Sequence, residues 1–66
     1  MTARPSPAIA AALGDLVAAH RVEDAARAAF SRDASDEHLK TFIAAVTARR
    51  LAEETFERAA GRRASR

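Results

Sequence analysis

The stretch SDEHLKTFIAAV, residues 35–46, contains the clearest signals for local structure in this chain. Ser35 is a residue type that caps helix N-termini, and the two acids that follow it place negative charge where a helix dipole favours it. Large apolar side chains then recur at the spacing of one helix face, at Leu39, Phe42, Ile43 and Val46. The stretch therefore predicts a helix that begins at Asp36 and has one strongly apolar face.

Toward the C-terminus this helix is expected to span 36–60, because Gly61 is typical of the position just past a helix end. The apolar face does not continue beyond Val46, and a second face rich in alanine begins there. Two arrangements explain this change. Either the C-terminal half projects beyond a small core, or the helix kinks near Arg49 and folds back.

On the N-terminal side, Ser6 followed by Pro7 predicts a helix start, since serine caps free N–H groups and proline suits the first helical position. An apolar stripe of helical period, formed by Ile9, Leu13, Leu16, Val17 and His20, predicts a helix over 7–20. The next apolar cluster, Val22, Ala26, Ala29 and Phe30, lies about half a turn away. We therefore expect a bend near Ala19–Val22 and a second helix over 22–31.

These elements define an all-α fold, either a small helical hairpin or a three-helix bundle, with alanine-rich packing. The predicted helices cover 7–20, 22–31 and 36–60. We expect residues 1–5 to be disordered, residues 6–60 to form a single small helical domain, and residues 61–66 to form a basic disordered tail.

Alanine limits the core that such a fold can build. Of the 66 residues, 19 are alanine, and apart from Met1 only twelve larger apolar side chains remain. A domain of this size buries a small share of its surface, and without cysteine it has no disulfides to stabilise it. A partner or a second copy is the leading way to add core, and a marginal monomer with close alanine packing is the alternative.

The chain offers little catalytic chemistry. Its two histidines are eighteen residues apart, no His-x3-His pair is present, and no cysteine completes a zinc site. A chain of this length also encloses too little volume for a typical substrate pocket. We therefore predict a protein that is not an enzyme, with no cofactor, no metal and no membrane span, and we expect it to be cytoplasmic because cysteine is absent.

The predicted function is that of a small non-catalytic helical protein for protein–protein interaction or regulation, of the adaptor or inhibitor kind. It would be completed by self-association or by docking onto a larger protein. The candidate interaction residues lie on the alanine-rich half of the third predicted helix: Ala48, Leu51, Ala52, Thr55, Phe56 and Ala59.

The alternative is a small DNA-binding regulator, helix-turn-helix-like or antitoxin-like, that uses helix 36–60 and the basic tail. Its candidate nucleic-acid residues are Lys40, Arg49, Arg50, Arg62, Arg63 and Arg66. The net charge of +2 comes from the tail, because residues 1–60 hold eight basic and nine acidic side chains. A tail of three arginines gives only weak, sequence-independent attraction to phosphates. Asp36 and Glu37 also place negative charge where a recognition helix meets DNA.

Overall fold

The computed structural model describes residues 6–64, and side chains within residues 6–61. This part of the chain folds into two antiparallel helices, α1 (Pro7–Arg32) and α2 (Asp36–Ala64), joined by residues 33–35. The all-α prediction and its helical-hairpin form are confirmed. The three-helix alternative is wrong. The predicted disordered residues 1–5 lie outside the described residues, as do residues 65 and 66 of the predicted tail.

The predicted helix starts at Pro7 and Asp36 are confirmed by their caps, and the predicted start at Val22 is wrong. The backbone N–H of Ile9 donates a hydrogen bond to the Ser6 hydroxyl at 3.1 Å, and Pro7 occupies the first turn. At the start of α2, the N–H of His38 donates to the Ser35 hydroxyl at 3.2 Å. Each serine satisfies one of the N–H groups that a helix N-terminus leaves without an intrahelical partner.

The predicted bend near Ala19–Val22 is wrong, because α1 is one continuous helix from Pro7 to Arg32. Residues 15–32 contain no glycine or proline, and their many alanines and arginines are strong helix formers. The bend was expected because the large apolar side chains change sides along α1. The contact between the helices does not follow those large side chains.

The seam between α1 and α2 is formed by residues that alternate at spacings of three and four, the pattern of a coiled-coil seam. These residues are buried or half-buried: Ile9, Ala12, Leu16, Ala19, Glu23, Ala26 and Phe30 in α1, and His38, Phe42, Ala45, Arg49, Ala52, Phe56 and Ala59 in α2. Alanine recurs in it every seven residues. Small side chains at these positions let the two helices approach closely.

Two contacts fix the register of the hairpin. Arg49 Nε lies 2.6 Å from Glu23 Oε1, and the rings of Phe30 and Phe42 are stacked with centroids 6.3 Å apart. In this register the C-terminal half of α2 lies along the N-terminal half of α1, where it covers Ala12.

Both arrangements that the sequence suggested for the C-terminal half are therefore wrong. This half does not project beyond the core, and α2 does not fold back near Arg49. It continues past the expected end at Gly61 to Ala64, since a single glycine within a helix costs only about 1 kcal/mol. The resulting hairpin is a flat rod with dimensions of 51 × 20 × 12 Å.

Candidate interaction surfaces

The large aliphatic side chains lie mostly outside the seam. Six of them are 39–59% exposed: Leu13, Val17, Val22, Leu39, Ile43 and Leu51. The most buried apolar residues of the described chain are instead alanines, Ala12, Ala26 and Ala45, at 4–7% exposure. Leu13, Val17, Leu39 and Ile43, four positions of the predicted apolar stripes, were thus wrongly expected to face the core. The most buried positions between the helices are alanines, and Ile9 and Leu16 are half-buried there.

Four of the exposed side chains share one face of the hairpin, here called the aliphatic face and formed by Leu13, Val17, Leu39 and Ile43. The first two stand one and five residues after seam residue Ala12, and the other two stand one and five residues after seam residue His38. Two antiparallel helices are related by a two-fold axis perpendicular to the plane that contains both helix axes. Residues at the same offset from a seam residue therefore lie on the same side of the hairpin in both helices. Charged side chains interrupt this face, among them Arg27 and Arg50.

The opposite side of the hairpin carries no charge over most of its length. This alanine face consists of Ala18, Val22, Ala25 and Ala29 from α1 and Thr41, Ala44, Ala48, Leu51 and Thr55 from α2. Eight of the nine residues are exposed and Ala29 is half-buried. Val22 and Leu51, at 57% and 59% exposure, stand above the small side chains around them.

The structure divides the predicted interaction residues into two groups. Ala48, Leu51 and Thr55 lie exposed on the alanine face. The other three, Ala52, Phe56 and Ala59, are half-buried in the seam and pack toward α1. The sequence carried a signal for this division, because alanine recurs at seven-residue intervals at 12, 19 and 26 and again at 45, 52 and 59.

An ion-pair cluster lies at the centre of the seam. Glu23, only 5% exposed, accepts a hydrogen bond from Arg49 at 2.6 Å and a second from Arg27 at 3.1 Å. Arg49 also donates to Glu53 at 2.9 Å. No described buried polar side-chain atom lacks a partner. The cluster satisfies the polar groups that the seam takes out of water.

The cluster also shifts the acidity of its members. The hydrogen bond from Arg49 holds the pKa of Glu23 below its ordinary value, although burial of the carboxylate acts in the opposite direction. The same bond raises the pKa of Arg49. Both groups therefore stay charged at neutral pH. Sequence analysis missed Glu23, whose signal is its position seven residues after Leu16 and seven before Phe30.

The candidate nucleic-acid residues are not gathered into one patch within the described side chains. Arg49 lies in the seam with its guanidinium bonded to two carboxylates. Lys40 and Arg50 are exposed but stand ten residues apart, about 15 Å along α2. The backbone of residues 62 and 63 belongs to α2, while the side chains of Arg62 and Arg63, and all of Arg66, lie outside the described part.

At the loop end of the hairpin, near residues 33–35, aromatic side chains close the seam. The Arg27 guanidinium lies 5.7 Å from the ring centroid of Phe42, in range of a cation–π contact. The His38 ring nitrogen Nδ1 lies 2.7 Å from the carbonyl oxygen of Asp33. The first contact joins the two helices, and the second ties the connecting residues to α2.

Within residues 6–61 the structure shows no pocket and no group of three or more side chains that could hold a metal ion. None of the described helices has the length and apolar character needed to cross a membrane. Comparisons of the chain with protein-family models, curated proteins and solved structures found no match. The faces of the hairpin are therefore the candidate functional surfaces.

Proposed function

We propose that this chain is a small non-catalytic helical protein that acts by binding protein surfaces through the apolar side chains on its two faces. The observation that carries the proposal is the exposure of six large aliphatic side chains in a chain with only twelve larger apolar residues besides Met1. Large contiguous apolar patches on a protein surface mark interaction sites, and the alanine face is contiguous, whereas charges interrupt the aliphatic face.

The exposed side chains are not needed to close the hairpin. Alanines at 4–7% exposure already fill the seam, and the Glu23–Arg49 pair and the Phe30–Phe42 stack connect the two helices. The six aliphatic side chains outside the seam keep 39–59% of their surface exposed. Covering that surface would favour association by about half of the ~1.5–3 kcal/mol that full burial of such a side chain contributes.

The two faces suit partners of different character. The aliphatic face mixes large apolar side chains with charges, as the rim and core of a protein interface do. The alanine face is uncharged and flat, apart from the raised side chains of Val22 and Leu51. A rod with two unlike binding faces can hold two surfaces at once, which supports an adaptor or inhibitor role.

The test compares the purified chain with three variants in two assays, sedimentation across a concentration series and capture of proteins from its host. Leu39→Glu with Ile43→Glu alters the aliphatic face, and Val22→Glu with Leu51→Glu alters the alanine face. Ala28→Glu, on the exposed outer edge of α1, is the matched control. Glutamate is a strong helix former, so all three variants should retain the helix content of the original chain by circular dichroism.

We expect at least one face variant to lose an association, with a second copy or with a captured protein, that the Ala28→Glu control retains. The proposal is wrong if the original chain is monomeric at every concentration and captures the same proteins as all three variants. A helix content below that of the control would mark a variant as misfolded. Single substitutions at the same positions would then replace it.

A further inference from the structure

We propose that the alanine face is covered by a second copy of this chain, packed with its hairpin reversed end to end, so that two hairpins form a four-helix bundle. This inference rests on the proposed function and assigns one of the two faces to self-association. It draws on the polarity of the face, on the charges at its corners and on the spacing of its side chains.

Burial of the alanine face would enclose no charge and two hydroxyls, those of Thr41 and Thr55. None of its nine residues is charged. The hydroxyl of Thr41 donates a hydrogen bond to the carbonyl oxygen of Glu37 at 3.0 Å, so it keeps a partner when water is removed. Burial of an unpaired hydroxyl would oppose association, and this contact removes that penalty for Thr41.

Four exposed charges frame the face at its corners. Arg32 of α1 and Glu37 of α2 lie at the loop end, and Asp15 of α1 and Arg58 of α2 lie toward the other end. None of the four forms an ion pair with another described side chain. Each helix and each end of the hairpin thus presents one positive and one negative corner, a pattern that a second copy of the same face complements in either two-fold arrangement.

The two helices agree on where the reversal is centred. The midpoint between Asp15 and Arg32 falls just after Glu23, and the midpoint between Glu37 and Arg58 falls just before Ala48. Because Arg49 lies beside Glu23, these midpoints are at the same level to within about one residue, or ~1.5 Å. One two-fold axis therefore brings Arg32 to Asp15 of the second copy and Glu37 to Arg58 of the second copy together.

The same alignment places large side chains against small ones. With α1 facing α1 of the second copy, Val22 lies opposite Ala25, and with α2 facing α2, Leu51 lies opposite Ala44. The two copies of Ala48 meet near the axis. Alternation of large and small residues across facing positions is what close packing in a bundle requires. In the other two-fold arrangement, with the loops at the same end, Val22 would meet Leu51 instead.

The size of the face sets the scale of the contact. Its corner charges lie 17 and 21 residues apart, about 26–32 Å of the 51 Å hairpin, so at a width of 20 Å the framed area is roughly 600 Å² in projection. This is somewhat smaller than the about 800 Å² that a standard protein–protein interface covers on each partner. Another protein would have to match both the arrangement of large and small apolar side chains and all four corner charges. A second copy matches them by symmetry.

The first experiment measures the dimer dissociation constant of the full chain by sedimentation equilibrium at ~0.15 M salt. We expect a dimer that Leu51→Glu weakens by at least ~10-fold, the equivalent of one buried leucine side chain. Ile43→Glu on the aliphatic face and Ala28→Glu on the outer edge should leave the constant unchanged. Val22→Glu tests the face a second time from α1, should Leu51→Glu lower the helix content.

The second experiment uses charge exchange to test the alignment. Asp15→Arg should weaken the dimer, because it brings two arginines together in either two-fold arrangement. In the reversed arrangement Arg32→Glu restores the pairing and Arg58→Glu does not. Restoration by Arg58→Glu alone would overturn the reversed alignment.

The outcomes separate the dimer from the broader function. A monomer at all concentrations, or a dimer that Ile43→Glu rather than Leu51→Glu disrupts, overturns this inference. The proposed function survives the first of these results if the chain still captures a host protein through either face, and it survives the second as association through the aliphatic face.

Discussion

The seam and the outer faces of the hairpin differ in which side chains they bury. Within the seam, the residues of lowest exposure are three alanines and Glu23, at 4–7%, and the larger apolar members, Leu16 and Phe42 among them, are half-buried. Outside it, leucine, isoleucine and valine are 39–59% exposed. Alanine packing, the Phe30–Phe42 stack and the Glu23–Arg49 pair thus join the helices, and the outer aliphatic side chains keep surface available for association. On each helix, a seam residue and an exposed residue stand next to each other or close by. The same substitution at both positions therefore tests the difference between the seam and the surface.

The largest effect should come from the seam charge. Arg49→Met removes the hydrogen-bonded partner of Glu23 and leaves a carboxylate of 5% exposure with only Arg27 beside it. We expect a marked loss in the free energy of unfolding at pH 7, measured by urea denaturation, because a buried charge without its counter-charge is costly. Arg50→Met, one residue away and exposed, should change this free energy little.

The pH dependence of this difference has a definite sign. The pKa of Glu23 is lowered in the folded chain, so its pairing stabilises the fold above the range in which glutamate normally titrates, near 4.3. That contribution is lost as the pH falls through the lowered pKa. The gap between the original chain and Arg49→Met should therefore be widest at neutral pH and shrink in acid. Equal stability of Arg49→Met and Arg50→Met at pH 7 would contradict the role assigned to the pair.

The next effect should come from the size of the seam alanines. Ala26→Leu adds three carbons at 7% exposure, where the helices are in contact, and overpacking of this kind costs about 1–3 kcal/mol. Ala28→Leu makes the same change on the exposed outer edge and should stay within about 0.5 kcal/mol of the original chain. Thermal unfolding of the two variants at equal concentration measures the difference. A seam that tolerates leucine as well as the edge does would show that alanine is not what sets the spacing of the helices.

Much of the fold could be predicted from the sequence, because its signals are local. The serine caps at Ser6 and Ser35 mark both helix starts, and each makes its expected hydrogen bond. The number of helices and the inward faces could not be predicted from the positions of leucine, isoleucine and valine. That reasoning assumes that the largest apolar side chains fill the core, and here the contact surface is set by alanine at seven-residue spacing.

Only part of the candidate interaction surface could be predicted, because the inward faces of the helices could not be predicted. Ala48, Leu51 and Thr55 each stand directly before a seam residue, which places them on the alanine face, where they are exposed. Phe56 could not be placed from the apolar pattern of α2 alone. Its inward position depends on the register with α1, which the pairing of Glu23 with Arg49, 26 residues apart, establishes. Such a pairing is a property of the packed hairpin rather than of either helix alone.

The smallest effects should separate Phe42 from Ile43, two adjacent apolar residues on opposite sides of the division. Phe42 is half-buried and stacks on Phe30, so Phe42→Ala should cost about 2 kcal/mol, roughly half the value for a fully buried phenylalanine. Ile43 is 56% exposed, and Ile43→Ala removes little buried surface while improving helix propensity, so its free energy of unfolding should change by less than about 0.5 kcal/mol.

The two variants should also differ in binding, where Ile43→Ala rather than Phe42→Ala should have the larger direct effect. Ile43→Ala should weaken any partner that the aliphatic face holds, while Phe42→Ala should act on binding only through the loss of folded hairpin. Urea denaturation gives the first quantity, and affinity for a captured partner at a concentration where both variants are folded gives the second. If Ile43→Ala destabilises the fold as much as Phe42→Ala does, the aliphatic face is part of the core of the hairpin. The distinction between seam residues and surface residues would then be wrong.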